Sequence, residues 1–485
     1  MRRLSTQCWR IAVVLHRWIG AVLGVLMLGW CVSGMVMMYV PFPALDQASR
    51  VAALPVLDFR HCCNVPADFE GAEIDSAEIE MLGLHVLMRL RRSGARDVEL
   101  LDLTSGRRLE AISDSQALGV AEDFGAVRGY AATPRPTGRL MYDQWTIEST
   151  LRASGPLLTF AWDDRRAPVL YISSRSGKAV QLTEGTQRFW NYLGSIPHWI
   201  YFLPLRESPQ LWSQIVIGTS LVGAVLTLLG LLIGFVQLWR MRNHGRWSPY
   251  RGINYWHHVP GTLCGALVLS WVASGLFSMN PWGFLADDTS HDEPARLTGL
   301  PVSGTDVHRC LDALRAMRLG TAVSVQMTRL DGRLFLTAVN WQQLRARFDE
   351  SGGAAPLSDA EVAYIGKSLG QGFPISPPTR LFAGDSYYFP HHRDRPAFPV
   401  YRFRRADSEG TLYYVDAIDG SLRRRVGRAD RGYRWLHQAL HRFDFIEKRP
   451  WWDVVMLTLM LSVTVVCATG LILGIQRWVR TAWGG

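Results

Sequence analysis

The chain repeats itself, and the repeat limits what it can fold into. His16-Arg-Trp-Ile-Gly20 opens one long apolar run, and His257-His258-Val-Pro-Gly261 opens another. Counted from the first histidine of each, Gly20, Gly24, Leu26, Leu28, Trp30, Ser33 and Gly34 fall opposite Gly261, Gly265, Leu267, Leu269, Trp271, Ser274 and Gly275. Further on, Tyr171–Gly177 answers Tyr414–Gly420, and the same spacing carries His198 onto His441. Self-similarity at a long fixed period is the mark of an architecture built from duplicated units.

Four stretches are almost free of charge for about twenty residues, enough to cross a hydrocarbon core of roughly 30 Å. They are Val13–Tyr39, Leu211–Trp239, His257–Trp282 and Val454–Trp478. Each half then reads as a span, a long polar segment, an aromatic-rich approach and a second span. By residue number, the first span occupies 1–40 and the first outer segment 41–187. An approach with the second span follows at 188–240, then a short loop at 241–256. The third span takes 257–282, the second outer segment 283–431, and the last approach with the fourth span 432–485. The expected fold is an α-helical membrane protein with four transmembrane helices in two tandem pseudo-symmetric repeats, carrying two α+β outer domains.

Charge sets the orientation. Arg2, Arg3, Arg10 and Arg17 precede the first span, Arg240, Arg242, Arg246 and Arg251 fill the short loop, and Arg477 and Arg480 follow the last span. Basic residues in short loops and at span ends mark the cytoplasmic side, so both termini are expected inside and both long segments outside. The formal net charge of +10 is accounted for by these anchors facing anionic lipid, with no call for nucleic acid. The first apolar run is long for a signal peptide and resembles the third span, so it is expected to stay.

Of seven cysteines, Cys31, Cys264 and Cys467 fall within spans and read as small packing residues. Cys62-Cys63 is an adjacent pair outside, where disulfides persist, although a link between neighbours is strained, and its state is left open. No C-x-x-C-H attachment motif is present.

In the outer segments, Ile79, Leu82, Val86, Leu87 and Leu90 recur at helical spacing, which predicts a helix over Ser76–Ser93. Val98–Leu103 reads as a strand with a turn at Ser105-Gly106. In the second half, Val307–Met317 reads as a helix, and Ser324–Leu330 and Leu334–Val339 as strands about Asp331-Gly332. Hairpin turns are expected at Ser176-Gly177 and Asp419-Gly420. Gln342–Pro378 reads as loop with one short helix. Arg188–Leu203 and Tyr433–Phe445, rich in Trp, Tyr and Phe, read as short helices at a membrane boundary.

These residues together resemble the PepSY-associated transmembrane family of bacterial inner-membrane proteins. Leu15-His-Arg-Trp-Ile-Gly20 with Ser33-Gly34, and Trp256-His-His with Ser274-Gly275, carry the likeness. So do Pro197-His198, Leu436-His-Gln-Ala-Leu-His441 and the hairpin ending Val415-Asp-Ala-Ile-Asp-Gly420. The stretch Pro41–Asp75 departs from the family pattern. The resemblance implies PepSY-like outer domains in the periplasm. It also implies a di-haem reductase that passes electrons to ferric siderophores.

The histidines admit one pairing. At 1.5 Å per residue, a span of over twenty residues is more than about 30 Å long. His16 therefore cannot share an iron with His198, nor His257 with His441. His16 with His257, and His198 with His441, would make two bis-histidine sites for haem b, one near each face. His258 and His437 have no counterpart in the other half and are the alternative ligands. Ser33 and Ser274 read as helix-packing residues. His308, His391 and His392 read as surface histidines, and Arg402, Arg404, Arg405 and Arg423–Arg425 as a face able to steer an anion.

No dinucleotide fingerprint or zinc-protease motif appears, so electrons are expected from a quinol or a separate donor. No catalytic residue is assigned. The expected activity is reduction of a periplasmic ferric siderophore or other ferric chelate. The rival readings are a non-redox PepSY regulatory or binding protein of the envelope and a transporter-associated subunit. The spans lack the buried acids a transporter would use; Asp453 sits at an end.

Overall fold

The computed structural model describes residues 2–483 apart from 96, 243, 287–291, 300, 318 and 390–395, with side chains from Thr6 onward save that of 67. His391 and His392 lie outside the described residues. The chain divides into two compact units. The first joins Met1–Phe42, Phe189–Asp287 and Ala429–Gly485; the second joins Pro43–Arg188 and Asp288–Arg428.

Four helices of the first unit are long and apolar enough to cross a membrane: Thr6–Tyr39, Pro209–Arg242, Ile253–Ser278 and Arg449–Thr481. The first helix begins at Arg2, well before the apolar run, so His16 lies several turns inside it rather than at its end. The first and third spans each pack against the second and the fourth, which places the first and third diagonally across the bundle. Small residues line the seams and let the backbones approach. Gly24 faces Leu471, Gly265 faces Leu231, Gly234 faces Thr262 and Gly474 faces Ala21. Val22, Val25, Leu228, Leu232, Phe235 and Leu461 point outward and stay exposed, as lipid-facing side chains would.

Short helices lead into the second and fourth spans, as their aromatic composition suggested. Gly185–Leu193, Ser195–His198 and Leu203–Arg206 precede the second. Arg428–Tyr433, a π-helical turn at Arg434–Ala439 and Leu440–Arg442 precede the fourth. A π turn inserts one extra residue per turn and rotates the side chains beyond it.

The second unit is built on one sheet shared by both halves. From one edge to the other its main strands are Arg345–Asp349, Arg333–Asn340, Ala322–Leu330, Glu73–Leu82, His85–Arg92, Glu99–Asp102 and Arg107–Leu109. The halves meet where Ile79 pairs with Val325 and Ala77 with Met327, antiparallel. The helix Gly304–Ala316 covers one face with Val307, Leu311 and Leu314. Two further four-stranded sheets, one from each half, end in the hairpins turning at Gly177 and Gly420. The outer segments are thus α+β but do not form two separate domains.

Two expectations fail here, and one state left open is decided. Ser76–Ser93 is a hairpin, Glu73–Leu82 with His85–Arg92, turning at Gly83 with φ of +59°. Ala77, Ile79, Met81, Val86, Met88 and Leu90 alternate onto one core face, the period of a strand. The opposite face is buried too, around Glu80 and Arg89, and Leu82 and Leu87 there filled in a false helical pattern. Gln342–Pro378 holds the strand Arg345–Asp349 besides the helix Asp359–Gly370. That strand hid behind its arginines: Arg347 is buried, paired with Glu361, and lies 3.4 Å over the Phe335 ring. Finally, Cys62 and Cys63 form a disulfide between neighbours, buried in the core beneath that sheet.

Candidate functional site: two histidine pairs in the helical unit

The structure brings together the histidines that the length argument paired. His16 on the first span and His257 on the third meet across the bundle diagonal, ring centres 6.2 Å apart. His198 and His441, each at or near the end of a short helix before a span, meet at 6.1 Å. Nδ1 of His198 lies 3.1 Å from the Trp30 carbonyl. Trp30 is fourteen residues beyond His16, so the two pairs stand about 21 Å apart along the first span.

All four rings are held by the same nitrogen. His16 Nδ1 lies 3.1 Å from the Leu226 carbonyl, and His257 Nδ1 lies 3.1 Å from the Val466 carbonyl. A carbonyl only accepts, so both nitrogens carry the proton. His198 Nδ1 donates to the Trp30 carbonyl and to Ser33 Oγ at 3.1 Å. Ser33 Oγ is free to accept because its own hydrogen goes to the Gly29 carbonyl at 2.6 Å. His441 Nδ1 lies 3.0 Å from Ser274 Oγ, whose hydrogen goes to the Trp271 carbonyl. Each imidazole is therefore the Nδ1–H tautomer, with the lone pair on Nε2. Fixing one nitrogen to orient the other is how proteins prepare a histidine for a metal.

Each ring also rests on a glycine. A Cβ at Gly230 would come 2.7 Å from His16 Cε1, and one at Gly470 would come 2.8 Å from His257 Cε1. A Cβ at Gly34 would come 3.3 Å from His198 Cε1 and 2.8 Å from Met460 Cε, whereas one at Gly275 would stand 3.8 Å from His441 Cε1, an ordinary contact. Sequence reading missed Gly230 and Gly470. The signal was present as a second repeat: Gly230-Leu-Leu-Ile-Gly234 matches Gly470-Leu-Ile-Leu-Gly474, with Leu226 and Val466 four residues earlier.

The two alternative ligands separate on chemistry. His258 uses both nitrogens: Nε2 faces the Gly234 carbonyl at 3.2 Å and Nδ1 faces Ser248 Oγ at 2.9 Å. It has the opposite tautomer and no lone pair to offer. His437 lies on the π turn with Nδ1 2.9 Å from the Ser274 carbonyl, and its ring centre is 5.3 Å from that of His441. Ser274 thus holds both rings, His441 by its hydroxyl and His437 by its carbonyl. The other half has Gly194 in this place, where any Cβ would come 2.9 Å from Val36.

Burial keeps the second pair neutral. It pushes His198 down to about 4 and His441 well below the usual imidazole value, and His437 likewise to about 4. Between the two pairs lie Met27, Cys31, Val268, Val272 and Val463, with Trp30, Trp271 and Cys467 packed against them. Cys31 and Cys467 remain thiols, Sγ atoms 3.8 Å apart. Among the described residues, no group of three or more His, Cys, Asp or Glu side chains is placed to hold a bare metal ion.

The ring spacing can be tested against a metal between two imidazoles. For two imidazoles facing each other, a metal–nitrogen bond of about 2.0 Å on each side, with about 1.1 Å from nitrogen to ring centre, puts the centres about 6.2 Å apart. The observed 6.2 and 6.1 Å are the spacing that one metal atom between each pair would need. Compared with known proteins, the chain matches no family model and no curated protein significantly.

Proposed function

We propose that this chain is a bacterial inner-membrane electron-transfer protein holding two b-type haems, which passes electrons outward to a periplasmic ferric-siderophore-type chelate. The observation that carries the reading is the coincidence at both pairs of one tautomer and one ring spacing. His16 and His257 would hold one iron and His198 and His441 the other. A haem with two imidazole ligands supplies one-electron chemistry at an iron closed to direct substrate binding.

The residues of the chain do the rest. Leu226, Val466, Trp30, Ser33 and Ser274 fix ring orientation through Nδ1. The apolar layer around Met27, Val268 and Val463 excludes water between the sites. The arginine clusters support placing the His16–His257 pair toward the cytoplasm, where a quinol or separate donor would deliver electrons. The His198–His441 pair then faces the periplasm, where a chelate too large to cross would accept them.

The deciding measurement is the reduced-minus-oxidised spectrum of the purified protein, with haem content by pyridine haemochrome. The expected result is b-type bands at about two haems per chain. A protein purified from haem-replete cells with no such bands is not a haem reductase, and the regulatory reading replaces it. Reporter fusions after Arg246 and at Ser351 test orientation: the first should read cytoplasm and the second periplasm.

A further inference from the structure

Buried polar groups in proteins nearly always find a partner, and each one left without costs about 1–3 kcal/mol. In the helical unit, Ser195 Oγ, Gln438 Oε1 and Trp271 Nε1 are buried and make no hydrogen bond. Ser195 is 0 % exposed and Gln438 9 %. These two occupy the same place in the two halves, three residues before His198 and three before His441. Ser195 shares the short helix Ser195–His198 with its histidine, and Gln438 sits on the π turn next to His437, whose ring centre is 5.3 Å from that of His441. Trp271 lies three residues before Ser274, which holds His441, and its ring sits 6.4 Å from Phe443, two residues past that histidine. Among the described residues, no comparable unpartnered side chain lies beside His16 or His257.

We propose that Ser195, Gln438 and Trp271 form a recognition site for the carboxylate edge of the planar cofactor held between His198 and His441. The inference rests on the haem reading above and adds to it a polar contact set that the His16–His257 site lacks. The chemistry fits the groups. A serine hydroxyl and an indole N–H both donate, and a half-turn of the Gln438 amide presents its Nε2 as a third donor. Carboxylates accept from all three, and hydrogen bonds to a charged acceptor are the stronger kind. The duplication explains the symmetry of Ser195 and Gln438: a cofactor on the pseudo-two-fold axis meets one from each half.

The test is reloading of haem-stripped full-length protein with either iron protoporphyrin IX or its dimethyl ester, followed by Soret titration. A His16→Ala background leaves only the second site to report. That site should bind the free acid about tenfold or more tighter than the ester, the value of one good hydrogen bond to a charge. Ser195→Ala or Gln438→Leu should each reduce the preference several-fold, and the pair together should abolish it. In the His198→Ala background, the remaining site should prefer neither porphyrin, and its binding should be unchanged by Ser195→Ala, which also shows that the variant folds. Equal binding of acid and ester at the His198–His441 site, or a preference that survives both substitutions, overturns the inference alone. Uptake of neither porphyrin by the wild-type chain overturns the haem reading, and this inference with it.

Discussion

Ser33 and Ser274 hold the same atom in the two halves, each hydroxyl lying against Nδ1 of a histidine that precedes a span, at 3.1 Å for His198 and 3.0 Å for His441. Their spacing in the sequence had suggested mere helix packing. Removing a partner of this kind from a metal-ligating histidine typically costs 10–100-fold in affinity. Ser274→Ala should weaken haem at the His198–His441 site by about tenfold and leave the other site unchanged. Competition with apomyoglobin measures this; equal haem loss from both sites would contradict it.

The pairing itself is tested by alanine scanning. His16→Ala and His257→Ala should each delete the same haem, and His198→Ala and His441→Ala should each delete the other. Electron paramagnetic resonance separates two bis-imidazole centres because the ring planes differ, meeting at 38° in one pair and 69° in the other. One substitution from each pair deleting a common signal would refute the arrangement.

Gly230 offers a steric test. Its missing Cβ is the floor beneath His16, and a methyl there meets the ring at less than van der Waals distance. Gly230→Ala should cut occupancy of the His16–His257 site severalfold or more, while Gly29→Ala, which faces open space, should bind haem as the wild type does. Equal occupancy in both variants would mean that the ring has another place to go.

His437 and His258 separate ligand from neighbour. His437→Ala should retain both haems, with a shifted spectrum at the site it adjoins, and His258→Ala should retain both with neither ligand spectrum altered. Loss of the second haem in the His437 variant would transfer the ligand role from His441.

A buried ion network sets the acid limit of the second unit. Burial would raise the Glu80 carboxyl, but the Arg89 and Arg50 guanidiniums, at 2.8 and 2.9 Å, outweigh it and hold the group at about 2. A carboxyl depressed below its unfolded value of 4.5 contributes stability that is complete above that value and is lost as pH falls toward 2. Melting of the second unit should therefore fall steeply over that window. Glu80→Gln should flatten the dependence and destabilise the unit by about 3–5 kcal/mol, because the buried Arg89 guanidinium loses its carboxylate and Arg50 keeps only Glu78, at 3.8 Å. A variant as stable as the wild type at pH 7 would show that the network is dispensable.

What the sequence made legible followed from strong periodicity and from duplication. Four uncharged runs became four helices long and apolar enough to cross a membrane, and the residues paired by length, His16 with His257 and His198 with His441, lie together. The failures share a physical cause: polar residues buried in pairs. Glu80 with Arg89 and Arg347 with Glu361 are charged pairs inside the fold, so the two strands that carry Glu80 and Arg347 lack the plain alternation of apolar and polar residues. The pairing of Ile79 with Val325 joins distant segments, and no local pattern announces it. The carbonyls of Leu226 and Val466 were equally invisible, because a main-chain acceptor is the same at every residue.

Both histidine pairs take one member from each repeat, and the main sheet likewise joins one repeat to the other. A chain of half this length would offer a single imidazole at each level and leave the edge of Glu73–Leu82 or of Ala322–Leu330 open. Two such chains facing each other about a dyad would complete both sites and close both edges. The fused chain keeps that geometry while freeing its halves to differ, and one place where they differ is beside an imidazole pair: glycine at 194, histidine at 437.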